Sequence, residues 1–196
     1  TIGLVILGFI WYYFYARKKV QRYGAVIKVF DKLYNREATV LGIEEEFREI
    51  LKEKGLRHHD DFDAILERSI VLDIEDEISP DEFFALASDH LSKLFRSINR
   101  DDIYNSLIEA NKQGLTPVAE GIAIPHSKFE KLSSFELLMA RVRKGLNLHG
   151  ANKPIECVFI IIGSKNDPKK HLRILAEIAF RADKRDFLEN WRNAKD

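Results

Sequence analysis

An unbroken apolar and aromatic run, TIGLVILGFIWYYFYA, opens the chain and carries no charge over residues 1–16. As a helix it extends about 24 Å, at about 1.5 Å per residue, a little under the ~30 Å hydrocarbon core of a bilayer. Positive charge follows at once in Arg17, Lys18, Lys19 and Arg22, whereas a secretory signal places its charges first. The pattern predicts the end of a transmembrane helix from a longer polypeptide. Trp11, Tyr12, Tyr13 and Tyr15 then belong to the interfacial belt and the basic cluster to the cytoplasmic side. A buried core helix is the competing reading.

Residues 17–68 read as a cytoplasmic juxtamembrane helical linker. Val26, Val29, Phe30 and Leu33 follow i, i+3, i+4, i+7 spacing, with Lys28, Asp31 and Lys32 elsewhere on the wheel. Such a helix lies on a membrane surface or packs on a neighbour, and its mild basic tilt favours packing. Ile43, Phe47, Ile50 and Leu51 repeat the spacing until Gly55 stops it. His58, His59, Asp60 and Asp61 are metal-ligand residue types, but adjacent ligands on a short polar turn rarely converge on one ion. A solvated turn capping a helix around Phe62, Ile65 and Leu66 is the better reading.

From Ser69 the periodicity changes. SIVLDIEDEI alternates Ile70, Leu72 and Ile74 against Val71, Asp73 and Glu75, which predicts a strand. Ser79-Pro80-Asp81-Glu82 supplies a capping serine, a proline at the first helical position and a glutamate three after the cap. The helix it opens is expected to bury Phe83, Phe84, Leu86, Ala87, Leu91 and Leu94. A second helix is predicted over Arg100 to Lys112, carrying Ile103, Leu107 and Ile108 and ended by Gly114. Strands are predicted at Ile122 to Ile124, Phe135 to Val142 and Ile155 to Ile162. The last is apolar almost throughout and is expected to be central, covered on both faces. Asp167 and Pro168 open another helix, PKKHLRILAEIAFRA, and a short final one holds Phe187, Leu188 and Trp191. Strands interleaved with helices predict an α/β domain over residues 69–196, a sheet with helices on both faces.

Composition narrows the function. The 196 residues suit one sizeable domain with something attached, and 45% hydrophobic with 32% charged residues is ordinary for a globular core. A net charge of zero without a long basic face argues against a nucleic-acid partner. The single cysteine, Cys157, lies inside IECVFIIIG, which excludes an intrachain disulfide and points to a buried, inert thiol. No metal set and no cofactor motif is predicted.

Of the six histidines, His90 falls on a helix and His149 in a turn, while His126 and His171 carry more information. His126 follows GIAIP: Gly121 allows close backbone approach, Ile122 to Ile124 anchor a strand, and Pro125 fixes the backbone direction before the ring. Ligands of α/β sheets gather at such strand exits. His171 belongs to the first turn of the helix opened by Pro168, where N–H groups and the helix dipole favour an anion. With Ser127 and Gly121 beside the first ring, the set would suit a phosphoryl group. Two ordinary surface histidines are the other reading.

TPVAEGIAIPHSK, a strand–strand stretch and then PKKHLRILAEIAF resemble the enzyme IIA domain of the mannitol/fructose class of the phosphoenolpyruvate-dependent sugar phosphotransferase system. The likeness spans Ser69 to Trp191, and the family fold is a mixed β-sheet flanked by helices. The resemblance implies that His126 is the phosphoacceptor, charged by the phosphohistidine of a small phosphocarrier protein. His171 matches the second family histidine, which stabilises the phosphorylated form. Gly121 and Ser127 are then expected around the phosphate. The chain departs from the family where Glu120 replaces Asn, and where EANKQG, with Lys112, replaces an upstream Arg-Glu pair.

The N-terminal stretch, through ARKKVQRYGAVIKVFDKLYNRE, resembles the exit of permeases of the amino acid–polyamine–organocation superfamily. Together the resemblances imply an enzyme IIA-like domain on the cytoplasmic side of a cell membrane. It would be joined to a membrane-embedded transporter in the lipid bilayer and would regulate transport through a phosphohistidine. An active phosphocarrier of sugar uptake and a non-phosphorylated regulatory or dimerising module are the alternatives.

Overall fold

The computed structural model describes residues 61–194 apart from Leu115. The chain order is α1 (Asp61–Glu67), β1 (Ile70–Ile74), α2 (Pro80–Ser92), α3 (Arg100–Lys112), β2 (Pro117–Ala119), β3 (Ile122–Ala123), β4 (His126–Phe129), β5 (Phe135–Leu146), β6 (Ile155–Ser164), α4 (Pro168–Ala182) and α5 (Phe187–Asn193). The predicted membrane-spanning end at 1–16, the linker as far as residue 60, and the His58–His59–Asp60 turn lie outside the described residues. Among the described residues no helix is long and apolar enough to cross a membrane.

The strands form one six-stranded sheet in the order β1-β5-β6-β3-β2, with β4 also paired to β6. β1 runs parallel to β5, β5 antiparallel to β6, β3 and β4 parallel to β6, and β2 antiparallel to β3. The sheet is therefore mixed. Every residue of β6 except Glu156 is buried, which is possible only for a strand with neighbours on both edges and helices on both faces. Alternation along β5 and β6 divides the core. Phe135, Leu137, Phe159 and Ile161 face α1, α4 and α5. Leu138, Ala140, Val142, Val158, Ile160 and Ile162 face α2 and α3. The expected three-layer arrangement is present.

Local signals act as their chemistry dictates. The Ser79 hydroxyl accepts from the Glu82 N–H at 3.3 Å, and the Glu82 carboxylate accepts from the Ser79 N–H at 3.0 Å, so the capping box closes. Asn99 caps α3 by accepting from the Asp102 N–H at 2.8 Å. Two expectations on α2 fail. Leu86 is only half-buried, and Leu94 is 45% exposed because the helix ends at Ser92, before it. Phe62 and Ile65 of α1, read as linker, are buried in the core beneath α4.

The edge strand β1 is held by charge. Arg141 on β5 is 8% exposed; its Nε donates to Asp73 Oδ1 at 3.0 Å and its Nη2 to Asp73 Oδ2. Its Nη1 donates to the backbone carbonyls of Trp191, at 3.2 Å, and Ala194, at 2.6 Å. Arg143 adds two more bonds to the same carboxylate, at 3.1 and 2.6 Å. Arg141 first, and Arg143 after it, hold the Asp73 carboxyl well below the usual carboxylate range. One guanidinium thus joins β1, β5 and the end of α5.

Arg141→Met is expected to cost about 2 kcal/mol, because Asp73 keeps Arg143 while the two carbonyls lose their donor. Differential scanning calorimetry would read this as a Tm lowered by several degrees. A depressed carboxyl stabilises above its unfolded pKa and loses that contribution as pH falls toward the folded value. Wild type is therefore expected to lose stability steeply below about pH 4, and Asp73→Asn to show a flatter acid limb from a lower plateau.

Candidate functional site

Pro125 breaks one line of backbone into two strands. β3 pairs with β6 at Cys157 and Val158, and β4 pairs with it again from Ile161 to Ser164. Pro125 has no N–H for the ladder, but its carbonyl accepts from the Ile161 N–H at 3.0 Å. His126 therefore opens β4; it does not close a strand at residues 122–124, as expected from sequence. The alternation of β4 then sorts its side chains. His126 faces the α4 layer, with its ring centroid 5.2 Å from that of His171. Ser127 faces the opposite layer, where its Oγ accepts from the Ser106 Oγ of α3 at 2.7 Å.

His126 is half-buried and its Nδ1 lies 3.0 Å from the Ile124 carbonyl oxygen. A carbonyl can only accept, so Nδ1 carries the proton and Nε2 keeps its lone pair. His171 is fully buried on the first turn of α4. The Phe135 ring stacks against it, 6.0 Å between centroids and 28° between planes. Burial, and after it the neighbouring His126 and Lys128, push the His171 pKa well below its ordinary value. It is a neutral imidazole at physiological pH.

A glycine makes the wall behind His171. Phe135 pairs across β5 and β6 with Gly163, and a Cβ built at position 163 would lie 2.0 Å from Phe135 Cδ1. The phenyl ring occupies the space that any other residue would fill.

Of the four predicted site residues, the structure brings His126 and His171 together and leaves Gly121 and Ser127 apart from them. Gly121, at φ +72°, packs against Leu188, and its carbonyl accepts from the N–H groups of Glu156 and Cys157. That is four residues along β6 from Ile161, roughly 13 Å from the level of His126. Glu120 shares that end, exposed and ion-paired to Lys153, so its carboxylate points away from the histidines. The N-terminus of α4 is not an open anion site either. The Asp167 carboxylate caps it by accepting from the Lys170 N–H at 2.9 Å. Lys112 is exposed in the last turn of α3, His90 lies on α2 and His149 in the turn after β5. Among the described residues no group of three or more His, Cys, Asp and Glu could hold a metal ion.

Sequence reasoning missed four contributors. The Ile124 carbonyl is backbone and has no side-chain signal. Phe135 and Gly163 meet only through strand register. Lys128, two residues beyond His126 on the same face of β4, was legible only once HSKF was known to be a strand.

The profile of the family described as Phosphoenolpyruvate-dependent sugar phosphotransferase system, EIIA 2, matches residues 65–196. The chain belongs to this family. The EIIA 2 domain is 29% identical over 99 residues to a nitrogen regulatory protein of Bradyrhizobium diazoefficiens, covering 50% of this chain and 65% of that protein. It is 29% identical over 82 residues to a fructose-specific EIIA component of Haloferax volcanii, covering 41% of this chain and 53% of that one. The chain thus spans less than two thirds of the length of either relative. The crystal structure of the nitrogen regulatory protein IIA-Ntr from Neisseria meningitidis superposes with a TM-score of 0.58 at 26% identity, covering 64% of this chain and 86% of that one. The EIIA 2 domain shares its fold with that crystal structure.

His171 gives a pH test. A histidine whose folded pKa is depressed contributes stability above its unfolded value, near 6.5, and loses it on acidification. Between pH 8 and 6.5 its ring resonances are expected to stay flat. Chemical denaturation of wild type is expected to weaken below pH 6.5, by up to about 1.4 kcal/mol per pH unit more than His171→Phe. Gly163→Ala is expected to displace Phe135 and destabilise the fold by roughly 2 kcal/mol, read in urea.

Proposed function

We propose that the domain accepts a phosphoryl group on Nε2 of His126. The observation that carries this reading is the tautomer: the Ile124 carbonyl, 3.0 Å from Nδ1, leaves the other nitrogen as the nucleophile. In the step, the Nε2 lone pair forms a bond to phosphorus while the phosphorus–nitrogen bond of a donor phosphohistidine breaks. The donor ring keeps that electron pair. The acceptor ring gains positive character, which the Ile124 carbonyl stabilises through the Nδ1 proton. His171, kept neutral by burial, offers its N–H without adding a competing charge. The donor in this reading is the phosphocarrier protein of the phosphotransferase system, as family membership and the fructose-specific relative suggest.

The reading continues beyond the domain. The apolar run at 1–16 and the basic cluster after it support a tether to a membrane-embedded transporter, with the domain on the cytoplasmic side. Phosphorylation adds about 1.5 to 2 negative charges at neutral pH, enough to alter docking against a neighbouring surface. In this scheme the domain regulates transport by its state of phosphorylation. Glu120, turned away toward Lys153, does not oppose the incoming group.

Incubation with phosphoenolpyruvate, the general phosphotransfer enzyme and the carrier protein is expected to add one phosphoryl group, seen by intact mass at alkaline pH. His126→Ala is expected to abolish it, and phosphorus NMR to assign the linkage to Nε2. His171→Gln should slow the transfer by tenfold or more. A folded domain that gains no mass from active donors would sink the proposal. Transport indifferent to His126→Ala would sink its regulatory half.

A further inference from the structure

β4 is four residues long, and among the described residues it pairs with β6 alone. Pro125 interrupts the backbone ladder just before it. A ladder along one edge fixes the register of so short a strand, but its roll about its own axis is left to the contacts of its side chains. His126 and Ser127 leave that axis on opposite sides, so whatever fixes Ser127 also sets the direction of the imidazole.

Ser127 is 5% exposed, and its Oγ accepts from the Ser106 Oγ at 2.7 Å. Ser106 is half-buried on α3, next to Leu107 and one turn from Ile103, both fully buried. The helix that carries the donor is therefore anchored in the core. The layer around the pair is apolar. Ile162, opposite Ser127 in the β4–β6 register, and Phe129 of β4 pack into the same cluster as Ile103 and Leu107. In such surroundings a hydroxyl pair is directional in a way that methyl contacts are not, and removing one hydroxyl leaves the other without its partner.

We propose that the Ser106–Ser127 pair is a positioning device for His126. It fixes the roll of β4, keeps Nδ1 on the Ile124 carbonyl and so presents Nε2 as the lone-pair nitrogen. The inference deepens the reading of His126 as phosphoacceptor and rests on it for the effect on transfer, whereas the effect on the ring stands by itself. Displacement of a reacting atom by about 1 Å costs on the order of a hundredfold in rate, so two hydroxyls that never touch the phosphoryl group govern its transfer.

The test uses the full chain in detergent, as wild type, Ser106→Ala, Ser127→Ala and the double variant. The tautomer of His126 is read at pH 8 from long-range proton–nitrogen correlation spectra, stability in urea, and transfer from the phosphocarrier protein as kcat and KM. Wild type is expected to hold the proton on Nδ1. Each single variant is expected to show the Nε2–H tautomer as well, and to lose about tenfold or more in kcat with KM unchanged. The double variant separates position from stability. With both hydroxyls gone no orphan is left, so stability is expected to return toward wild type while the mixed tautomer and the slow transfer persist. Alanine is a good helix residue, so Ser106→Ala keeps the test decisive even where Ser127→Ala disturbs the sheet. A single Nδ1–H tautomer in Ser106→Ala, or transfer that recovers together with stability in the double variant, would overturn the proposal. A wild type that accepts no phosphoryl group would end the phosphoacceptor reading, and the tautomer alone then decides this one.

Discussion

A strand that is apolar on both faces is satisfied only when both faces and both edges are taken, and β6 imposes that condition on the domain. One edge is filled by β5 running back along it, the other by β3 and β4 laid end to end. Its faces require two layers of helix, and the odd and even positions of β5 and β6 feed the two cores separately. The histidine pair depends on the same condition. His126 takes its place from the β4–β6 register, and His171 lies on the helix that follows β6 directly.

The two imidazoles have opposite surroundings. One is half-open to solvent, with its proton pinned by a carbonyl; the other is sealed behind a phenyl ring and kept neutral. The seal is a packing effect. Gly163 leaves space on β6, Phe135 enters it, and the ring so placed closes off His171. Nothing polar is needed on that side of the pair.

Most of the fold was legible because its signals are local. The capping box at Ser79, the two-sided run of β6 and the bounds of α3 come from short-range chemistry and match the structure. β2 and β4 were not legible, since strands of three and four residues have no alternation to read. That gap explains the misplaced site residues. Without β4 as a strand, Ser127 looked like a companion of His126, whereas its hydroxyl is turned to Ser106 on the other side of the sheet. Gly121 was judged by closeness in sequence, but the parallel pairing with β6 carries the chain some 13 Å between it and the ring. His126 and His171, 45 positions apart, are joined by tertiary packing that no spacing rule reports; the family resemblance alone suggested they meet.

α1 and α5 stand in the same layer, the one toward which His126 turns. The described chain therefore enters and leaves on a single side of the sheet, and Arg141 fastens its exit by binding the carbonyls of Trp191 and Ala194. The first and last described helices thus close the same face, and the guanidinium that joins β1, β5 and the end of α5 braces the layer that also contains α4.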